Sequence, residues 1–312
     1  MTEEGSSNNR LFLIGMILSM FCWGLSWTSG KVLSEYGDAL NISFYRFALT
    51  FISLFFILLF IKEKLVIHKK GFFDLFCASI LIALYTYLFF KGLSLGKAGA
   101  GGVLVTILNP IISYGLMLVL TRRRPTRNES LGLFLGITAG AVLLKLWVDA
   151  ESILNAGNSY FLLASFTWAV LSLFTAKASR YGSPVTFSFW MYGISTIIML
   201  FLTDKAENLA IFYQGDLSFW GNLFFSATIT TSLATTFYFV ATSRIGASKA
   251  SSFIFMVPIS AALGSWIFLQ EVPKIHTIIG GLIGVGAVYI LNKKIRTRKS
   301  ALAENEEIIS KS

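Results

Sequence analysis

The sequence predicts an all-α integral membrane protein of ten transmembrane helices in two inverted five-helix repeats. Three observations carry this prediction. The first is composition: the 312 residues are 55% hydrophobic and 13% charged, with a mean hydropathy of +0.70, whereas a soluble domain carries about 25% charged residues. The second is duplication. Trp23, Ser34, Tyr36, Gly37, Ser43 and Phe44 recur as Trp168, Ser179, Tyr181, Gly182, Ser188 and Phe189, offset by 145; Pro110, Pro125, Gly132 and Gly136 recur as Pro258, Pro273, Gly280 and Gly284, offset by 148. The change of offset places a net three-residue insertion between the seventh and eighth spans. The third is charge. Lys62, Lys64, Lys69 and Lys70 fill one loop, while its repeat partner around 204–217 holds Lys205 against Asp204, Glu207 and Asp216. Arg122-Arg123-Arg124-Pro125 likewise answers to Gln270-Glu271-Val272-Pro273. Equivalent loops of opposite character belong on opposite faces, which an odd number of spans per half requires.

A spanning helix needs about 20 predominantly apolar residues. The first span, 11–32, follows Arg10 and lacks a small-x-small cleavage site, so it reads as an uncleaved helix. Trp23 and Trp27 lie near its middle, away from the interfacial depth where tryptophan usually sits. The second span, 39–61, contains Arg46. A cation there is costly unless paired, hydrated or snorkelling, and an intramembrane charge reads by default as functional; Asp38 and Glu35 are the nearby acids. The third span, 72–92, carries Tyr85, Thr86 and Tyr87, of which Tyr87 is selected as cavity-lining. The fourth, 99–120, opens on Gly99, Gly101 and Gly102 and holds Asn109-Pro110 mid-helix, where the proline frees the Thr106 carbonyl and acts as a hinge. The fifth, 129–147, presents Gly132, Gly136 and Gly140 as a close-packing ridge.

The second repeat follows the same plan. The sixth span, 158–178, places Trp168 where the first places Trp23, and the seventh, 184–203, has Met191 at the position of Arg46. The eighth, 218–242, is crowded with Thr228, Thr230, Thr231, Ser232, Thr235, Thr236 and Tyr238, more hydroxyls than helix packing needs. Thr235 and Tyr238 are taken from it as substrate contacts. The ninth, 248–269, contributes Ser252 and the second hinge, Pro258; the tenth, 275–292, carries Gly280 and Gly284. Residues 1–10 and 293–312 flank the repeats 11–147 and 158–292 as cytoplasmic ends. With both termini inside, 19 Lys and Arg fall on the inner side, 6 on the outer, and Arg46 within a span, which fits the positive-inside rule and a bacterial-type inner membrane.

Several function classes fall away. The positive charge sits in short loops between apolar runs, which is a topology signal and not a nucleic-acid surface. Cys22 and Cys77 lie in apolar runs, His68 and His276 in loops, and no metal-ligand or catalytic spacing occurs. No catalytic residue, cofactor or metal is therefore expected. The partners are a small-molecule substrate and the lipid bilayer, with self-association left open.

Trp23-Gly24, Arg46-Phe47, the run from Gly246 through Ser251, and Val257-Pro258 followed by Gln270-Glu271 give the chain its resemblance to the EamA-domain transporters of the drug/metabolite transporter superfamily. That family more often has Gly-Glu where this chain has Gln-Glu. Ala98 to Gly102, Arg122-Arg123-Arg124 and Trp27 also depart from its pattern. The resemblance implies ten helices in inverted repeats, a cavity lined by helices one, three, four, six, eight and nine, and alternating access by rocking of one half against the other. It thereby supports Trp23, Tyr87, Asn109, Trp168, Tyr238 and Ser252 as site residues. The expected activity is transport of a small polar or amphipathic metabolite, an amino acid or related amine first. A larger aromatic or nucleoside-like substrate comes second; a polytopic membrane enzyme or non-transporting scaffold has less support.

Overall fold

The computed structural model describes residues 3–122, 124–148, 156–238 and 252–292, and among them no strand occurs. The helices are α1 Glu3–Leu33, α2 Ala39–Phe60, α3 Phe72–Leu95, α4 Ala98–Thr121, α5 Arg127–Leu144, α6 Ala156–Thr175, α7 Pro184–Leu202, α8 Lys205–Gln214, α9 Leu217–Phe224 with its continuation, α10 Met256–Leu269 and α11 Ile275–Asn292. Six stretches among the described residues are long and apolar enough to cross a membrane: Phe12–Leu33, Ala39–Phe60, Lys69–Leu95, Ala98–Thr121, Gly157–Arg180 and Pro184–Leu202. Met256–Leu269 and Ile275–Leu291 are shorter apolar helices. The predicted eighth and ninth spans run partly outside the described residues. Large apolar side chains lie on the outside of the bundle, Phe60 at 89% exposure among them, as a lipid-facing surface requires.

Capping explains the helix starts. Asp38, Thr126, Ser183, Asp204 and Asp216 each accept a backbone N–H from the first turn of the helix that follows. α4 has no such cap of its own. Its first-turn N–H groups of Ala98 and Gly99 instead donate to the Glu271 carboxylate, at 3.3 and 3.1 Å, and Ser265 Oγ donates to the same group at 2.9 Å. An acid near the positive end of a helix is favourable.

The packing exchanges helices between the sequence halves. α1 packs against α9 and α10 of the second half, and α6 packs against α3 and α4 of the first. α2 meets α7, α4 meets α10, and α5 meets α11. This pattern maps onto itself when each helix is replaced by its repeat equivalent. The α5–α11 seam shows it at side-chain level: Gly132 makes room for Leu291, and Gly280 makes room for Leu143, the residue offset by 148 from Leu291. The inversion is visible in the turns. Tyr36, between α1 and α2, donates to Asp216 Oδ1 at 2.7 Å at one end of the bundle. Its repeat partner Tyr181, between α6 and α7, donates to Asp74 Oδ2 at 2.5 Å at the other end.

Three features differ from the sequence expectation. The loop at 204–217 contains α8, capped by Asp204 Oδ1 accepting from Ala206 at 2.8 Å and Glu207 at 3.0 Å; at ten residues it is too short to register as a span. The eighth span is not a plain α-helix. Phe225–Ala234 follows π geometry, and Thr231, Ser232 and Thr235 return their hydroxyls to the carbonyls five residues back, at 2.7, 2.9 and 3.3 Å. The insertion also moves. α3 begins at Phe72 and α9 at Leu217, still 145 apart, so the three extra residues enter after the start of α9. A π stretch takes more residues per turn than an α-helix and absorbs part of them.

Candidate functional site

Arg46 organises the interior. α2 packs against α7 and the π stretch of α9, and its inward face carries the guanidinium toward α3 and α9. The Arg46 carbon Cζ lies 5.3 Å from the Phe89 ring centre and 5.8 Å from that of Phe90. Its Nη2 donates to Thr231 Oγ1 at 3.3 Å. Tyr85 and Tyr192 are within its electrostatic reach. The side chain is half-buried. It therefore points into the bundle, and the snorkelling alternative does not describe it. Asp38 is not its partner: that carboxylate caps α2 through Leu40 N at 3.1 Å and lies 3.8 Å from Lys91.

The two repeat-related tryptophans each meet a tyrosine from the repeat-equivalent helix of the opposite half. Trp168 on α6 contacts Tyr85 on α3 with ring centres 4.7 Å apart, and Trp23 on α1 contacts Tyr238, beyond the π stretch, at 5.2 Å. All four are half-buried. Tyr85 brings Trp168 and Arg46 into one cluster, with Phe89 6.2 Å from Tyr85 between ring centres.

The remaining predicted residues are placed differently. Trp27 is 4% exposed, wedged edge-on against Phe89 at 4.7 Å and Phe161 at 5.9 Å, where it packs the α1–α4 crossing beside Gly102. Tyr87 is half-buried between two apolar clusters. Asn109 faces the carbonyl oxygens of Ser165 on α6 at 3.0 Å and Val105 at 3.3 Å. Two acceptors on one side put its amide nitrogen there, so it ties α4 to α6. Thr235 bonds back to Thr230. Ser252 opens a 3-10 turn ahead of α10, and its side chain lies outside those described. Pro110 sits inside the continuous α4. Pro258 falls in the first turn of α10, directly after that 3-10 turn, where a proline ring is tolerated; the helix changes type just before it.

Sequence reasoning named Tyr85 but selected its neighbour Tyr87, took Glu271 only for its loop charge and as part of a family motif, and passed over Phe89 and Tyr192. Position on the helix was the only signal for Tyr85, Phe89 and Tyr192 as site residues, because α3 and α7 are too uniformly apolar for a face to stand out. The clusters at the two ends are polar and outside the aromatic interior. Tyr36 is held above the ordinary phenol range by the Asp216 carboxylate, and Asp216 is held low by the Phe219 N–H and the Tyr36 hydroxyl. Tyr181 is raised in the same way by Asp74. A cavity of about 130 Å³ lies at the α4 N-terminus between Lys97, Ala100, Ala262, Glu271, Lys274 and His276. It is remote from Arg46 and smaller than typical ligand pockets, which run to about 300–1,000 Å³.

No group of three or more His, Cys, Asp or Glu suited to a metal occurs among the described residues. Comparison with known proteins identifies the scaffold. The model of the EamA-like transporter family matches residues 10–145 and again 155–293. The chain is 24% identical to the uncharacterized transporter YoaV of Bacillus subtilis over 286 residues, covering 87% of this chain and 93% of that protein. It is 24% identical to the uncharacterized transporter YyaM of the same organism over 310 residues, covering 96% and 99%. One solved protein crystal structure superposes with a TM-score of 0.56 at 14% identity, covering 91% of this chain and 96% of the other, which speaks for the fold alone. With both halves matched and the helices packed in repeat-symmetric pairs, the chain is a multi-pass membrane protein that belongs to the EamA-like transporter family.

Proposed function

We propose that this protein is a secondary transporter that moves a small polar or amphipathic metabolite, an amino acid or related amine, by alternating access. The observation that carries the reading is the interior cluster of Arg46, Thr231, Tyr85 and Trp168. It joins a charge, a hydroxyl and aromatic faces contributed by α2, α9, α3 and α6, on both sides of the exchange between halves. A site made by several helices of both repeats opens to one side or the other when those helices tilt. Trp23 with Tyr238 forms a second aromatic wall. The placement of 19 basic residues on one side against 6 on the other supports an inner-membrane location with cytoplasmic termini.

The test is counterflow in proteoliposomes preloaded with a metabolite panel of amino acids, amines and nucleosides. Protein-dependent exchange of amino acids or amines is expected. Exchange of nucleosides alone replaces the substrate class, and no exchange of any compound by folded protein overturns the reading.

A further inference from the structure

We infer that the interior site receives a monoanionic carboxylate on the Arg46 guanidinium, which Thr231 holds in position, an inference that rests on the transporter reading above. Arg46 is a guanidinium inside a spanning helix, and among the described residues no carboxylate lies within ion-pair distance of it. The acid nearest in sequence, Asp38, is occupied by the α2 cap and by Lys91. A guanidinium carries five N–H donors. Thr231 Oγ1, at 3.3 Å, is the acceptor that the described residues supply, while Phe89 and Phe90 meet the cation through their rings. Among the described residues its other N–H groups have no hydrogen-bond acceptor, and the residue as a whole is half-buried.

The repeat shows that the scaffold does not need this charge. The equivalent helix, α7, has Met191 at the same position, apolar and 5% exposed, and packs as well without a cation. An intramembrane charge retained on one side of a pseudo-symmetric pair, without a protein counterion, calls for a counterion from outside the protein. One positive charge balances one negative charge. A carboxylate matches the planar fork geometrically, whereas a phosphate dianion leaves excess negative charge in the bundle. Thr231 already donates to the Ser226 carbonyl at 2.7 Å, which fixes its oxygen facing Arg46 and leaves it an acceptor; the guanidinium supplies the donors for the ligand. Tyr85 and Trp168, ring centres 4.7 Å apart, stand beside it. They suit an apolar substituent, and their faces suit the ammonium of a zwitterion.

The experiment uses full-length protein in detergent and reads the ligand-induced rise in unfolding temperature. The probes are L-leucine against L-leucinamide, L-phenylalanine against L-phenylalaninamide, and 3-phenylpropionate against phenyl phosphate. The carboxylates should raise the midpoint of the wild type and the amides should not. Arg46→Met, which installs the residue of the other repeat, should weaken carboxylate binding by at least about tenfold, with Arg46→Lys intermediate. Thr231→Val should weaken it less, and it carries the test together with Arg46→Lys if Arg46→Met gives no cooperative unfolding. Equal shifts from acids and amides, wild-type acid binding in Arg46→Met, tighter binding of phenyl phosphate, or no carboxylate shift in the wild type each overturns the inference. The two readings fail separately. Arg46-dependent carboxylate binding without exchange in liposomes sinks the transporter and leaves the site. Exchange of amines that carboxylates neither compete with nor bind beside sinks the site and leaves the transporter.

Discussion

Gln270 closes α10 with φ of 56°, in the left-handed region that glycine occupies without penalty and other residues do not. Its repeat partner Arg122 closes α4 the same way, with φ of 50°. The Gln270 side chain donates to the Ile267 carbonyl at 3.1 Å from an exposed position, a small compensation. Gln270→Gly should therefore stabilise the protein by about 0.5–1 kcal/mol, read as a higher unfolding midpoint in detergent with transport unchanged. Trp23 and Tyr238 make the complementary case. Trp23→Ala and Tyr238→Ala should each lower transport several-fold, and the double variant should lose less than the product, because a tilted ring pair contributes about 0.5–1.5 kcal/mol as a unit. Full transport in both single variants removes the pair from the site. Arg46 was legible in the sequence because a lone cation in an apolar run has few explanations. Tyr85 was not, since it and Tyr87 are two positions apart and point to different faces of α3. Which face turns inward is decided by α6 and α2, and no local signal reports it. Asn109 looked like a ligand contact for the same reason that it makes a good strut: its amide suits any exposed carbonyl, and α6 offers that of Ser165.

At the scale of elements, the hydropathy runs located the long helices within a few residues, because the length needed to cross a bilayer is a strong constraint. What they could not report is how ends are finished. α4 borrows its cap from the turn after α10, so Glu271 belongs energetically to a helix more than 170 positions away, the separation to Ala98 being 173. Glu271→Ala should lower stability by about 1–2 kcal/mol, measured by chemical unfolding in detergent. Glu271→Gln, which keeps an acceptor, should lose roughly half of that. An effect no larger than that of an exposed loop substitution refutes the borrowed cap. The hydroxyls crowded over 228–236, read from the sequence as more than packing needs, lie largely on the π stretch, which the sequence did not announce. Those hydroxyls turn out to serve the helix and its neighbours: besides the internal bonds, Thr228 meets Ser53 of α2 at 2.7 Å and Thr230 donates to the Cys22 carbonyl of α1 at 3.3 Å.

For the whole molecule, duplication and loop charge made the inverted architecture readable, but hydropathy holds no information about which helix touches which. The exchange of α1 and α6 between halves is a tertiary fact, and it changes what rocking means. α1 is fastened to α9 by Tyr36–Asp216 and by Ser29 Oγ donating to the Asn222 carbonyl at 2.9 Å. α6 is fastened to α3 through Lys177 and Tyr181, both on Asp74. The units that tilt should then be α1 with α9 and α10, and α6 with α3 and α4. In a variant without Cys22 and Cys77, thiol cross-linking of Tyr36→Cys with Asp216→Cys should spare transport. Cross-linking Ala100→Cys with Ala262→Cys, which face each other across the small cavity between α4 and α10, should stop it. The reverse outcome means that the sequence halves are the moving bodies. The same exchange sets a timetable for synthesis. The bond from Thr230 to Cys22 spans 208 residues, and at about 5–20 residues per second the first helix waits about 10–40 s in the lipid before its second-half partners emerge. During that interval the face of α1 that meets α9 and α10 stays uncovered by its final partners, and a cell making this protein has to keep that face from pairing with strangers.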